Sequence, residues 1–235
     1  MCIDLLIFDL DGTLYDESCG YVEEVHKNIF RFMVEQNGGK FDDISTISQA
    51  QVAWKPIFDK YNLTKRGLLG EGYEFDSLQY DQYVRKGAEQ YITHDLELRA
   101  FLESLPQRKV IFTNAPESSA NEILELLGVA DLFEHVLGTE FLRNKVCKPE
   151  RKSFEMMLNF LGVHTHEQRS RVCYFEDSFK NLIAGKNEWG FKTVFVKGPT
   201  MSTEGHSEEE LSQFDAVVRV KVGMALRESM PSLWQ

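Results

Sequence analysis

Two aspartates two residues apart, Asp9 and Asp11, follow the apolar run Leu5-Leu6-Ile7-Phe8 and precede Gly12. A short buried strand ending in a turn would set both carboxylates at its carboxyl end, close enough to share one cation. Gly12 would permit the turn that brings backbone near a ligand. Three further groups follow the same pattern. Thr113 and Asn114 come after Lys109-Val110-Ile111-Phe112, Lys148 stands immediately before Pro149, and the acidic pair Glu176-Asp177 comes after an apolar stretch at 172–175. Adjacent carboxylates in a loop suit a hard cation such as Mg²⁺, bound through one or two carboxylates, waters and an anionic substrate. A lysine ahead of a helix supplies a point charge that balances an anion.

These groups need elements to position them. Val22, Val25, Ile29, Phe32 and Met33 recur at helical spacing, and Gly38-Gly39 stops that helix. A second helix is expected over 47–61, kinked or divided at Pro56. A short helical turn at 64–70 and a helix over 77–90 complete the block. With no β-rich stretch inside it, the segment 16–92 reads as a helical domain inserted into a core made of 1–15 and 93–235. From residue 93 strands and helices alternate. Helices are expected at 95–104, up to Leu127-Gly128, at 149–161 with Pro149 opening and Gly162 closing, and at 179–189. Buried strands are expected at 109–112, 172–175 and 193–196, with an apolar segment at 133–137, a last strand at 216–220 and a closing helix. That series predicts an α/β fold: a Rossmann-like three-layer α/β/α core with a mainly parallel sheet, plus the inserted helical bundle. The polar run 200–213 reads as a solvated loop or helix surface.

Composition narrows the function. At 235 residues the chain can hold a core and a smaller companion, and 43% hydrophobic with 27% charged residues is a globular balance. A net charge of −11 leaves no basic stripe for a nucleic acid polymer. No run approaches the roughly 20 apolar residues that span a bilayer, so no membrane partner is expected. Cys2, Cys19, Cys147 and Cys173 lack metal-binding spacing and read as reduced thiols of a cytoplasmic protein. Met1 to Asp4 lead directly into a strand, so no signal peptide is expected.

Asp9-Leu10-Asp11-Gly12-Thr13, followed in order by Thr113, Lys148-Pro149 and Glu176-Asp177, resembles the signature set of the haloacid dehalogenase (HAD) superfamily over essentially the whole chain. The resemblance implies a phosphatase. Asp9 would be the nucleophile that forms an aspartyl-phosphate. Asp11 would be the general acid/base, its backbone carbonyl also meeting the metal. Thr113 and Lys148 would anchor the phosphate, helped by backbone N–H groups near Leu10, Asp11 and Asn114. Asp177 would ligate Mg²⁺ directly, Glu176 more remotely or through water, and Asn181 would orient the metal's waters. Asp11 should hold a higher pKa than Asp9.

Placed between the first two signatures, the insert resembles a C1-type helical cap, which in such proteins selects the leaving group. The stretch from Tyr61 to Leu68, Phe112-Thr113-Asn114-Ala115 and the run from Leu127 to Phe133 resemble the pyrimidine 5′-nucleotidase branch, although Glu176-Asp177 stands where that branch often has two aspartates. The expected substrate is a small phosphorylated metabolite, foremost a pyrimidine nucleoside 5′-monophosphate such as UMP or CMP, for a monomer or homodimer. Tyr21 beside the base and Arg66 on polar substituents are the candidate contacts; the alternative for each is packing within the insert. Sugar-phosphate phosphatase or phosphomutase activity is the competing enzyme reading. Dehalogenation would need neither Mg²⁺ nor the second aspartate, and a binding module should have lost a catalytic group.

Overall fold

Leu5–Phe8 form β1, four apolar residues with every side chain buried. In the computed structural model, which describes residues 2–198 and 206–235, this strand is central in a six-stranded sheet. The chain then enters a helical unit, residues 20–88, which contacts divide from a core unit of 1–19 and 89–235.

The helical unit holds α1 (Tyr21–Glu35), α2 (Ile47–Tyr61), α3 (Thr64–Gly70) and α4 (Ser77–Arg85). Thr46 and Gln49 form a capping box that starts α2, and Asn62 ends it in the left-handed region. Helix α2 runs from Ile47 to Tyr61 as one element, so of the two outcomes expected at Pro56 the helix is not divided. The unit's core is aromatic, with Phe32 edge-on to Phe41, Phe75 and Tyr80. The helix expected over 77–90 closes at Arg85, with a separate turn at Ala88–Gln90.

In the core unit, α5 (Leu96–Glu103) precedes β2 (Arg108–Phe112), and α6 (Glu117–Leu127) precedes β3 (His135–Leu137). Helices α7 (Arg151–Leu161) and α8 (His166–Arg169) lead to β4 (Val172–Glu176). Helix α9 (Phe179–Trp189) leads to β5 (Lys192–Lys197). The chain closes with α10 (Glu208–Leu211), β6 (Ala216–Arg219) and α11 (Leu226–Ser229). Gly128, Gly162 and Gly190 each end a helix in the left-handed conformation that glycine adopts without steric cost. The expected polar run at 200–213 lies partly outside the described residues; its described part includes α10.

Among the described residues all five strand pairings are parallel, in the order β3-β2-β1-β4-β5-β6. This is the Rossmann-like α/β architecture that the alternating pattern predicts. Side chains alternate across β1, so Leu5 and Ile7 join one apolar cluster with Phe154, Met157 and Leu158 of α7 and Leu182 of α9. Phe8 points the other way, stacked on Phe175 at 4.3 Å and edge-on to Phe133. The chain proceeds outward from β1 to β2 and β3, then returns to β1's other side as β4. That reversal opens a crevice at the carboxyl ends of β1 and β4, where ligands bind in open α/β sheets.

Candidate active site

Parallel register makes the site. Phe8 pairs with Ile111 on one side and Phe175 on the other, so the residues just past β1, β2 and the end of β4 emerge together. Asp9 donates its backbone N–H to the Phe175 carbonyl at 2.9 Å, and Thr113 donates to Leu137 at 3.0 Å. Both are thus held by extensions of the sheet ladder. Asp9, Thr113 and Glu176 are buried, while Asp11, Asn114 and Asp177 are partly exposed.

Lys148 joins these strand ends. It is 2% exposed, and its ammonium donates to Asp9 Oδ1 at 2.7 Å, Glu176 Oε2 at 2.7 Å and the Phe112 carbonyl at 2.8 Å. Three acceptors satisfy all three N–H bonds of the buried cation. Asn114 fixes the Lys148 backbone from both sides, accepting its N–H at 2.9 Å and donating to its carbonyl at 3.1 Å. Lys148–Pro149 is a cis peptide. Glu150 donates its N–H to Cys147 at 2.8 Å, so a turn occupies 147–150 and α7 begins at Arg151 rather than at Pro149 as expected.

Glu176 is fully engaged. Its Oε2 accepts from Lys148 and from the Tyr174 hydroxyl, and its Oε1 accepts from the Ser178 N–H at 3.2 Å. No motif marked Tyr174; it joins this network because it lies two residues before Glu176 on β4 and so on the same face. Asp11 lies at the turn after β1, where the Tyr15 hydroxyl donates to its Oδ1 at 2.5 Å. Thr113 Oγ1 accepts from the Ala115 N–H at 3.1 Å.

One ligand oxygen from each of Asp9, Glu176 and Asp177 lies within 4.8 Å of the others. Burial foremost, then the Glu176 charge, raises Asp9 to about 7 against the pull of Lys148. Burial, Glu176 and Asp9 likewise hold Asp177 well above the usual carboxylate range, with Glu17 adding to the effect. Burial pulls Lys148 down, but the Asp9 and Glu176 carboxylates outweigh it and leave the lysine above its ordinary value. One buried lysine therefore faces more negative charge than it offsets. Clustered hard oxygen donors with surplus charge fit Mg²⁺. Asn181 Oδ1, buried on the first turn of α9 without a hydrogen-bond partner among the described residues, is a further oxygen beside this loop.

Gly12 makes room for the approach of Asp177. Its φ is 73°, and a Cβ there would lie 2.7 Å from Asp177 Oδ2 and 3.1 Å from Glu17 Oε1. No motif pointed to Glu17; only the folded turn brings it beside Gly12.

The two insert candidates belong to the helical unit. Tyr21 is fully buried and its hydroxyl donates to the Arg85 carbonyl at 2.6 Å. Arg66 is half-buried on α3, its guanidinium 6.0 Å from the Tyr61 ring centroid.

A family model for haloacid dehalogenase-like hydrolases matches residues 3–187, from β1 into α9. The chain belongs to the haloacid dehalogenase-like hydrolases. Among similar proteins, Phosphate metabolism protein 8 of Saccharomyces cerevisiae is 27% identical over 164 residues, 64% of this chain and 49% of that protein. A phosphoglycolate phosphatase of Cereibacter sphaeroides is 26% identical over 160 residues, 63% of this chain and 65% of the relative. This chain thus spans less than two thirds of the length of either. The HAD phosphatase of Thermococcus onnurineus superposes with a TM-score of 0.59 over 92% of this chain and 93% of that one. At 16% identity that likeness concerns the fold. Among the described residues, no helix is long and apolar enough to cross a membrane.

Proposed function

We propose that this HAD hydrolase is a Mg²⁺-dependent phosphomonoesterase that works through an aspartyl-phosphate on Asp9. The observation that carries this reading is Lys148, locked between Asp9 and Glu176 beside a surplus of carboxylate charge. A carboxylate approaching a phosphate dianion is repelled, and preorganised positive charge lowers that barrier. Asp9, Asp177 and the Asp11 carbonyl would hold Mg²⁺, with Glu176 at one remove because its oxygens serve Lys148, Tyr174 and Ser178. When bound, the ion would supply charge neutralisation of nucleophile and phosphate.

The residues then divide the work. An Asp9 oxygen bonds phosphorus as the ester P–O bond breaks, and the departing oxygen takes the proton from Asp11. Asp11 next removes a proton from water, which attacks phosphorus, frees phosphate and restores Asp9. Two displacements replace one difficult hydrolysis. Lys148, Thr113 and Asn114 orient the phosphoryl group.

The insert 16–92 is read as a cap that selects the leaving group, on its place between the first two signatures. The leading substrates are small phosphorylated metabolites, foremost the pyrimidine nucleotides UMP and CMP. The relatives' names make phosphoglycolate a competing substrate, and sugar phosphates are another. Arg66 is the proposed contact to polar groups of base or sugar. A place for Tyr21 beside the base requires the helical unit to open around that buried ring. A panel of UMP, CMP, AMP, GMP, phosphoglycolate and hexose phosphates, with and without Mg²⁺, tests the reading. Higher kcat/KM for UMP and CMP, lowered by Tyr21→Ala and Arg66→Ala while an aryl phosphate is spared, supports the pyrimidine assignment. Preference for phosphoglycolate or a sugar phosphate discards it and leaves the phosphatase; an isomerised sugar phosphate points to a mutase.

A further inference from the structure

Tyr15 holds the carboxyl group of Asp11. Leu14 donates its N–H to the Leu10 carbonyl at 3.1 Å and Thr13 to the same oxygen at 3.2 Å, so the chain after Asp11 winds into a single helical turn. Residues four apart on such a turn share a face. Val222 from the far end of the chain donates to the Thr13 carbonyl at 3.2 Å and fixes the turn to the core. Tyr15 is consequently 4% exposed, with its ring packed inside and its hydroxyl at 2.5 Å from Asp11 Oδ1. A buried phenol needs an acceptor, and this one has taken the proposed general acid.

The direction of that bond matters. With Tyr15 as donor and Asp11 Oδ1 as acceptor, the proton of a protonated Asp11 is placed on Oδ2. A carboxyl group rotated the other way would present an oxygen without its proton to the leaving group. We propose that Tyr15 is a positioning residue that fixes the Asp11 carboxyl so that Oδ2 delivers the proton to the departing ester oxygen. The proposal rests on the reading of Asp11 as general acid. In the step itself the Asp9–phosphorus bond forms, the ester P–O pair passes to oxygen, and the Oδ2 proton moves to that oxygen. Tyr15 keeps its own proton throughout.

A group that places a proton matters in proportion to the leaving group's need for one. An alkyl alcohol must be protonated as it leaves; p-nitrophenol leaves as the stable phenolate. The test compares kcat/KM for an alkyl phosphate and for p-nitrophenyl phosphate in wild type, Tyr15→Phe and Asp11→Asn, all with Mg²⁺. Tyr15→Phe should lower the alkyl value by roughly tenfold, part of the ~10²–10⁴ that general acid catalysis supplies. It should change the p-nitrophenyl value by less than about twofold, since that displacement needs little acid help. Tyr15→Leu should show the same split, and thermal melts identify any variant that fails to fold. Equal losses on both substrates, or no loss on either, would overturn the positioning role. Asp11→Asn separates the two layers of inference. If it shows the split and the Tyr15 variants do not, only the Tyr15 proposal falls. If Asp11→Asn shows no split, the general-acid reading falls and takes this one with it.

Discussion

The Lys148 ammonium lies 2.7 Å from the Asp9 carboxylate although 139 residues separate them in the chain. Both are buried, and Glu176 closes the other side of the lysine at the same distance. Removing one partner of a buried ion pair leaves an uncompensated charge, a loss of about 3–5 kcal/mol. Lys148→Met should therefore lower the denaturant midpoint sharply and abolish turnover. Lys148→Arg should restore neither fully, because a planar guanidinium cannot direct three N–H bonds to these acceptors. Urea melts and turnover of an aryl phosphate check both. Wild-type stability in Lys148→Met would mean the bridge carries little energy.

Stability without metal should depend on pH in an unusual direction. Asp9 is raised from the ordinary carboxylate value to about 7, foremost by burial, and Asp177 is raised with it. A carboxyl group with a raised folded pKa binds more protons folded than unfolded, so unfolding free energy falls as pH rises across that window. The melting temperature of EDTA-treated protein should fall as pH rises from about 4 through about 7, the span between the ordinary carboxylate value and the raised value of Asp9. Added Mg²⁺ should raise it more at the alkaline end, where the carboxylates are ionised and repel. A metal-free melting temperature that climbs across this range would contradict the charge surplus.

Glu176 and Asp177 should respond differently to substitution. Glu176 serves Lys148, Tyr174 and Ser178, whereas Asp177 reaches toward Gly12 and the turn after β1. In calorimetric titrations Asp177→Ala should weaken Mg²⁺ binding by at least the roughly tenfold to hundredfold typical of perturbing a metal site. Glu176→Gln should keep Mg²⁺ affinity closer to wild type and lower the melting temperature instead. The opposite pattern would reverse the assignment within the pair.

The strand ends were legible because their chemistry is local. Apolar runs such as 5–8 and 172–175 ending in carboxylates mark buried strands, and parallel packing brings such ends together. Three features needed the folded chain. The start of α7 moved to Arg151 because the Lys148 backbone is held by Asn114, a contact across 34 residues. Tyr174 looked like one more apolar strand residue, and its hydroxyl gains meaning only beside Glu176. Tyr15 and Glu17 follow the motif without belonging to it, and the turn at Gly12 decides what they meet. Of the two outcomes that Pro56 allowed, division does not occur: α2 continues through it between a capping box and Asn62.

The chemistry assigned to Asp9 can be read directly by trapping. Wild-type protein in excess over an alkyl phosphate, with Mg²⁺, is quenched in acid within one turnover and reduced with borohydride. That treatment converts an aspartyl-phosphate to homoserine, which peptide mass spectrometry locates. Homoserine at position 9, formed and lost at rates that match turnover and absent from Asp9→Asn, is the expected result. Phosphate released at the full rate with Asp9 unmodified at every time point, and Asp9→Asn still turning over, would contradict the covalent mechanism.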